Sequence, residues 1–442
     1  MADCSTKMAE SLADVVKQIV LEVAKGKAPR TLGELEIAIR EATQAVRQAW
    51  LEMWLAELGE KRSDPEVPCP CGEQASYVRM RDGVVLTIFG RVSIKRAYYL
   101  CPHCHKGQYP LDAELDFEAG QMSPQLMSLA GLVGAELPFQ RASRLIESLC
   151  GNTLSENSVR EATERMGQEV AGQEAEWEAE SQDVVALRRH DHHPEDEKPD
   201  RLYGSIDGVS VPVGNEWREL KIGSWYREGP RTEEETPPAK DISYYCDITT
   251  ADEFGSLLWA TGYQRWADQA RELIFVADGA AWIWRLVSTY FPQAVQIVDW
   301  YHAVEYIAPI GNAAFGENSA QSREWRDQVI DDLWEGRFDR VLEALNEWAD
   351  HPQAGQAAYK ATTYYTNNRH RMRYADFRAK GYRIGSGTAE SACKQIGAQR
   401  LKVAGARWSE QGARDTAKAR ATLLSGHWNS ISSRLGAYPL AA

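Results

Sequence analysis

Apolar positions recur every three or four residues from 5 to 60, which predicts two helices, the second carrying Trp50 and Trp54. "RSDPEVP" ends that pattern, and "GVVLTIFGRVSIKRAYYLC" then reads as a strand-like stretch. Helical spacing returns from 122 to 170 in three short pieces. Pro124, Pro138 and Ser155 stand at their starts, and "CGNTLS" forms a tight turn before the third. From 201 to 302 the pattern switches to strands and helices. "RLYGSIDGVSVPV", "EWRELKIGSWYRE" and "DISYYCDIT" are strands, with "GPRTEEETPPAK" as the loop between the last two. The helix "EFGSLLWATGYQRWADQA", the strand "ELIFVADG", the helix "AAWIWRLVSTYF" and the strand "AVQIVDWYH" follow. No run of eighteen apolar residues occurs, and the N-terminus lacks the basic, apolar, small-residue order of a secretory signal. These features predict a soluble, cytoplasmic protein with no membrane partner.

Three meandering strands followed by helix, strand, helix and strand is the order of a ribonuclease H-like α/β sheet, which sets acidic residues of neighbouring strands side by side. A chain of 442 residues is too long for one ordinary core, so several domains are expected. The pattern places an N-terminal helical region at 1–62, a zinc-ribbon-like β segment at 63–118 and a helix-turn-helix-like region at 119–172. An acidic helix end and linker at 173–200 and the first part of the core at 201–302 follow.

The net charge of −14 argues at first against a nucleic-acid partner, but its distribution matters more. Residues 173–200 hold ten Asp or Glu against three Lys or Arg, a solvated linker. Residues 367–420 hold thirteen Lys or Arg against four Asp or Glu, enough to bind a polyanion locally or to form a solvated basic face.

The candidate chemistry begins with cysteines. Eight in so long a chain are too sparse for a disulfide scaffold, yet Cys69 and Cys71 ("CPCG") and Cys101 and Cys104 ("CPHCH") form two tight pairs. Four thiolates suit a closed structural zinc site. The first pair is one residue shorter than usual. Either both cysteines bind through a tighter loop, or His103 or His105 replaces one, or the hairpin is metal-free. In the three-helix region Ser158, Arg160 and Arg165 are the DNA-facing candidates, although many such segments bind nothing. His190, His192 and His193 lie in the acidic linker, where they either bind metal adventitiously or, as the acidic surroundings favour, are simply solvated.

Asp207 ("IDG") and Asp278 ("ADG") fall on two strands of the core, each followed by glycine, which admits close approach. Two neighbouring carboxylates repel unless a divalent cation bridges them. Taken alone, Asp278 could simply cap the next helix. Glu390 is the third carboxylate, in the first turn of a helix starting near Thr388. Lys394, Arg400, Lys402, Arg407 and Trp408 follow it, where phosphate would lie. Trp408 either stacks on a base or anchors the segment to the core.

"SIDGVSVPV", "VADGAAWIW", "IVDWYHAVEYI" and "RIGSGTAESACKQIGAQRLKVAGARWS" resemble the blocks of ISKra-type bacterial insertion-sequence transposases of the DDE class, over nearly the whole chain. The resemblance implies that Asp207, Asp278 and Glu390 are the catalytic triad. It also implies that 303–375 is a helical insertion in the nuclease fold, with 376–442 holding the final catalytic helix, the basic segment and the C-terminus. The fold class expected is thus multidomain α/β, a ribonuclease H-like core with a helical insertion. Two Mg²⁺ (or Mn²⁺) ions, about 3.5 to 4 Å apart, would serve cleavage and strand transfer alike. Asp299 and His302 ("DWYH") are candidate supports, with His302 either near the cleaved phosphate or a structural hydrogen-bonder. DNA, as terminal inverted repeats and target, is the expected partner. The need to hold two element ends implies a homo-oligomer. The alternatives are an inactive DNA-binding regulator and a ribonuclease H-like nuclease.

Overall fold

The computed structural model describes residues 13, 14, 16–18, 21, 31–60, 64–115, 117, 120–183, 198–229 and 237–439. The histidines at 190, 192 and 193 and most of the first expected helix lie outside them. The chain divides into two compact units, 1–163 with 429–442, and 164–428.

In the first unit, helix α1 (Leu32–Glu60) precedes a four-stranded antiparallel sheet, β1 (Glu66–Pro68), β2 (Gln74–Thr87), β3 (Gly90–Leu100) and β4 (Gly107–Gln108), in sequence order. β2 and β3 form the long hairpin, with a bulge between Tyr77 and Arg79. The short helix α2 (Pro110–Glu114) follows, and its Asp112 pairs with the buried Arg96 of β3. Three helices come next: α3 (Pro124–Glu136), capped by Ser123, α4 (Phe139–Cys150), and the long α5 (Glu156–Glu180), which runs on into the second unit. α4 stops because Gly151 takes the left-handed conformation, φ 74°, that glycine tolerates without strain. Ser155 then hydrogen-bonds the backbone N–H of Ser158 and starts α5.

The second unit is built on a five-stranded mixed sheet. β5 (Arg201–Val213), β6 (Glu216–Glu228) and β7 (Ala239–Asp247) are an antiparallel meander. Helix α6 (Ala251–Tyr263), closed by a Thr250–Glu253 capping box, leads to β8 (Glu272–Ala277). Helix α7 (Ala281–Tyr290) leads to β9 (Val295–Val298). The order β7-β6-β5-β8-β9 places β8 parallel to β5 and β9 parallel to β8. β8 is apolar and buried from Leu273 to Ala277, as a central parallel strand must be.

Helices α8 (Trp300–Glu305), α9 (Ala308–Phe315), α10 (Ala320–Trp334), α11 (Phe338–Asn346), α12 (Gly355–Asn368) and α13 (Tyr374–Ala379) come between β9 and the last helices. They share one hydrophobic core with the sheet: Ile307, Leu333, Val341, Tyr365 and Phe377 belong to the same buried cluster as Phe275 and Ile297. Hydroxyls fix the join, Tyr374 donating to Val298 O at 3.1 Å and Tyr365 to Ala303 O at 2.8 Å. The chain then runs through α14 (Gly387–Ala392), a stretch of π-helical hydrogen bonding at Cys393–Leu401, α15 (Glu410–Leu424) and α16 (Trp428–Arg434). On α15 the buried Lys418 meets Asp247 of β7 at 2.9 Å and Glu174 of α5, an interior charge matched on both sides.

Candidate functional site

The strand register brings the carboxylates together. β5 and β8 pair at Gly204 and Phe275, and Asp207 and Asp278 each stand three residues further on. β8 and β9 pair at Ala277 and Val298, and Asp278 and Asp299 are the next residues of each. Three aspartates therefore stand at corresponding positions on or just past adjacent strands, whose backbones run about 4.8 Å apart. Asp207 and Asp278 are nevertheless not in the acidic group whose ligand atoms converge. The Asp299 N–H bonds Ala277 O at 2.8 Å and keeps the register.

Electrostatics register this proximity. Burial raises the Asp278 carboxyl above the usual carboxylate range, against the hydrogen bond from the Ala280 N–H, and the charge of Asp207 raises it further. The Asp278 bond to Ala280 N–H, 2.9 Å, shows that it also turns the chain into α7, so the capping role coexists with the paired one. Asp207 accepts from its neighbour Gly208 N–H at 2.7 Å. The buried Cys393 thiol lies within the field of Asp207; burial first, then that carboxylate's charge, pushes the thiol far above its ordinary value. No sequence pattern marks Cys393 for this position.

The glycines after the aspartates have a different reason from the one expected. A Cβ on Gly279 would stand 2.0 Å from the Tyr364 ring, and one on Gly208 2.7 Å from Glu219 Oε1. Side chains of the protein take up that space.

Glu390 lies in the first turn of α14, which packs against β5 and β6, and Ser386 Oγ donates to its Oε1 at 3.2 Å. Its Oε1 is 3.8 Å from His302 Nδ1, and that nitrogen is 3.3 Å from Asp299 Oδ1. Asp299, Glu390 and His302 thus form one tight acidic and imidazole group that could hold a cation. Asp299 is fully buried, and both its oxygens are engaged, Oδ1 by the His302 N–H at 2.9 Å and Oδ2 by the Ser386 N–H. Burial would raise its carboxyl, but the bonds from His302 and Ser386 outweigh that and hold it below the usual range. The bond to Asp299, against burial, lifts His302 to about 9. His302 is therefore cationic at neutral pH. With its oxygens committed and His302 charged, Asp299 fits an ion pair better than a metal ligand.

The basic residues after Glu390 separate into two kinds. Lys394, Lys402 and Arg407 are exposed. Arg400, expected beside them, is only 1% exposed and faces the Trp408 ring at 5.2 Å. Burial, then Arg420, pulls its guanidinium down to about 10. It is a packing residue, which corrects the expectation of a DNA contact. Trp408 takes the anchoring role: it is buried, donates to Leu401 O at 3.0 Å, and its carbonyl accepts from Gly214 N–H at 2.8 Å. The exposed Trp217, with Lys402 Nζ 5.8 Å from its ring centre, went unmarked in the sequence. In the three-helix region Ser158 Oγ is tied to Ser155 Oγ at 2.8 Å, Arg160 lies 3.6 Å from Glu161, and Arg165 is exposed.

In the first unit the four cysteines converge. Cys69 and Cys104 sulfurs lie 3.6 Å apart, as do those of Cys71 and Cys101, and all four fall within 4.8 Å of one another. Sulfurs each about 2.3 Å from a tetrahedral ion would sit at nearly these separations. The short C-x-C loop suffices, and His103 and His105 are not in the group. The Cys104 N–H, against burial and with help from His103, draws the Cys101 thiol down to about 7. A thiolate is favoured at Cys101, while Cys69, against the Cys71 N–H, is pushed up to about 12 by burial and the neighbouring thiols.

No family model matches the sequence. The chain is 24% identical over 348 residues to the UPF0236 protein in vanSb 3'region of Streptococcus gallolyticus, covering 76% of this chain and 71% of that protein. Among solved structures, a chain of the Drosophila P element transposase strand transfer complex is similar at a TM-score of 0.23 and 9% identity, over 70% of this chain and 80% of that one. That likeness is too slight to bear on the site. Among the described residues, no helix is long and apolar enough to cross a membrane.

Proposed function

We propose that the chain is a DDE transposase with a ribonuclease H-like core, of the insertion-sequence kind its motifs resemble, which cleaves DNA at element ends and joins it to a target. The observation that supports the reading is the register that sets Asp207 and Asp278 at corresponding positions beside adjacent parallel strands, with Glu390 on α14, which packs against β5. Neighbouring carboxylates are hard oxygen donors suited to Mg²⁺ or Mn²⁺, and Asp278 is raised by burial first, with the Asp207 charge adding. Ions held by Asp207, Asp278 and Glu390 would supply activation of the attacking hydroxyl and stabilisation of the leaving oxygen.

The chain's own groups have separate tasks. Asp299 keeps His302 charged and oriented beside Glu390, where the imidazolium can donate to a phosphate oxygen. Lys394, Lys402 and Arg407 offer charge to the DNA backbone, while Arg400 and Trp408 hold their segment in place. The four cysteines would hold a structural zinc that braces the β2–β3 hairpin. DNA bearing the element's terminal inverted repeats is the partner, and two ends held together imply a homo-oligomer on DNA.

The test is strand transfer by purified protein with Mg²⁺ and a duplex ending in the element's own inverted repeat. Wild type should yield joined products, and Asp278→Ala should bind the same DNA and join none. An Asp278→Ala protein that joins as well as wild type would remove the proposed centre.

A further inference from the structure

Helix α1 has a face that the fold uses and an apolar face that it leaves open. Gln48, Glu52, Leu55 and Gly59, spaced four, three and four apart, share the side that meets the β2–β3 hairpin. Gln48 Nε2 donates to Arg91 O at 2.7 Å, and Glu52 Oε1 accepts from the Ser93 N–H at 3.0 Å. A Cβ on Gly59 would stand 2.3 Å from Lys95 O, so helix and strand approach backbone to backbone there. Leu55 and Leu58 pack against the buried Val85, Ile94 and Leu111.

The other face follows a seven-residue repeat. Leu32, Ile39, Val46 and Met53 hold the first position of each heptad; Leu35, Ala42, Ala49 and Ala56 hold the fourth, and none of them is buried. Leu32 is 72% exposed, Ile39 54% and Leu35 44%, with Trp50 at 47% flanking the stripe. A spacing of 3.5 keeps a stripe facing one helical partner over several turns, whereas a flat partner imposes no such period. The side-chain sizes say which helix fits. Two parallel copies would set fourth positions on fourth positions, stacking alanine on alanine and leaving voids. Two antiparallel copies centred on Gln44 set first positions on fourth: Ile39 on Ala49, Val46 on Ala42, Leu32 on Ala56 and Met53 on Leu35. All but the last of these match a large side chain with a small one, as a packed seam requires. The stripe is thus complementary to itself about a two-fold axis. From Leu32 to Ala56 it is about 36 Å long. Two copies would bury on the order of 1,200 Å² in total, within the range of specific interfaces.

We infer that α1 pairs antiparallel with α1 of a second copy of this chain through this seam. Ile37 and Trp54, though exposed, lie off the stripe and stay outside the contact. The pairing needs no DNA. It rests on α1 alone and stands or falls separately from the carboxylates and the proposed reaction.

The test is sedimentation equilibrium of the full chain without DNA, where wild type should be a dimer. Ile39→Glu should raise the dimer dissociation constant about tenfold or more, because each copy then sets a charge on an apolar layer. Ile37→Glu, at a residue 53% exposed on another face, should leave that constant within about twofold and controls for charge on the helix. Adding Ala49→Lys to Ile39→Glu should recover much of the loss, since only the antiparallel pairing brings position 39 of one copy against position 49 of the other. All three variants change surface positions, and unchanged circular dichroism would confirm that each is folded. A monomeric wild type, an Ile37→Glu protein that dissociates as readily as Ile39→Glu, or a double variant no tighter than Ile39→Glu would overturn the inference.

Discussion

His302 carries a charge that the fold controls. Its folded pKa of about 9 lies above the ordinary 6.5, so its pairing with Asp299 adds stability in full below about pH 6.5. That contribution is lost as pH rises through 9. Urea unfolding between pH 6 and 10 should show this decline, and His302→Asn should flatten it. Gly279 makes a second residue-scale case. Gly279→Ala puts a methyl group into the Tyr364 ring and should destabilise by about 1–3 kcal/mol, with loss of strand transfer. Pairing it with Tyr364→Ala should recover part of the stability relative to the sum of the single changes, which a double-mutant cycle by chemical denaturation would read. The sequence made Gly279 visible as a glycine after a carboxylate, but not Tyr364 as its reason. The two are 85 positions apart, and only the packing of α12 on the sheet joins them.

At the scale of elements, legibility followed period. β5 to β9 could be read because alternation and apolar runs report burial directly, and α14 because "GSG" precedes a helical pattern. The stretch from Cys393 to Leu401 could not. Its residues have ordinary helical propensity, and the wider hydrogen bonding shows only when α14 and α15 are both fixed around it. Arg400 was misplaced for the same reason: a basic residue in a basic run looks solvated until the turn that buries it is known. The Cys site is an element held by its ligands. Purified protein should carry one zinc per chain by elemental analysis. Chelation, or Cys104→Ser, should lower the melting temperature of the first unit while leaving the five-stranded sheet's circular dichroism in place.

For the whole molecule, an acidic protein that binds DNA must do so through a minority of its surface. A net charge of −14 repels the polyanion on the whole, and the exposed Lys394, Lys402 and Arg407 are among the cations that can offset it locally. Replacing those three with Ala should reduce the slope of log affinity against log salt by roughly 2 to 3, at about 0.9 per phosphate contact. Arg400→Ala should not change that slope, because its guanidinium is inside. The chain's path has a further consequence. Residues 429–442 return to the first unit, where Ser432 meets Ser128 at 2.7 Å and the Tyr438 backbone exchanges two hydrogen bonds with Gln125. On the ribosome these late residues emerge after the entire five-stranded unit. The N-terminal unit must therefore wait for the segment that carries Ser432 and Tyr438 before it can close, and the carboxylate-bearing unit can be complete first.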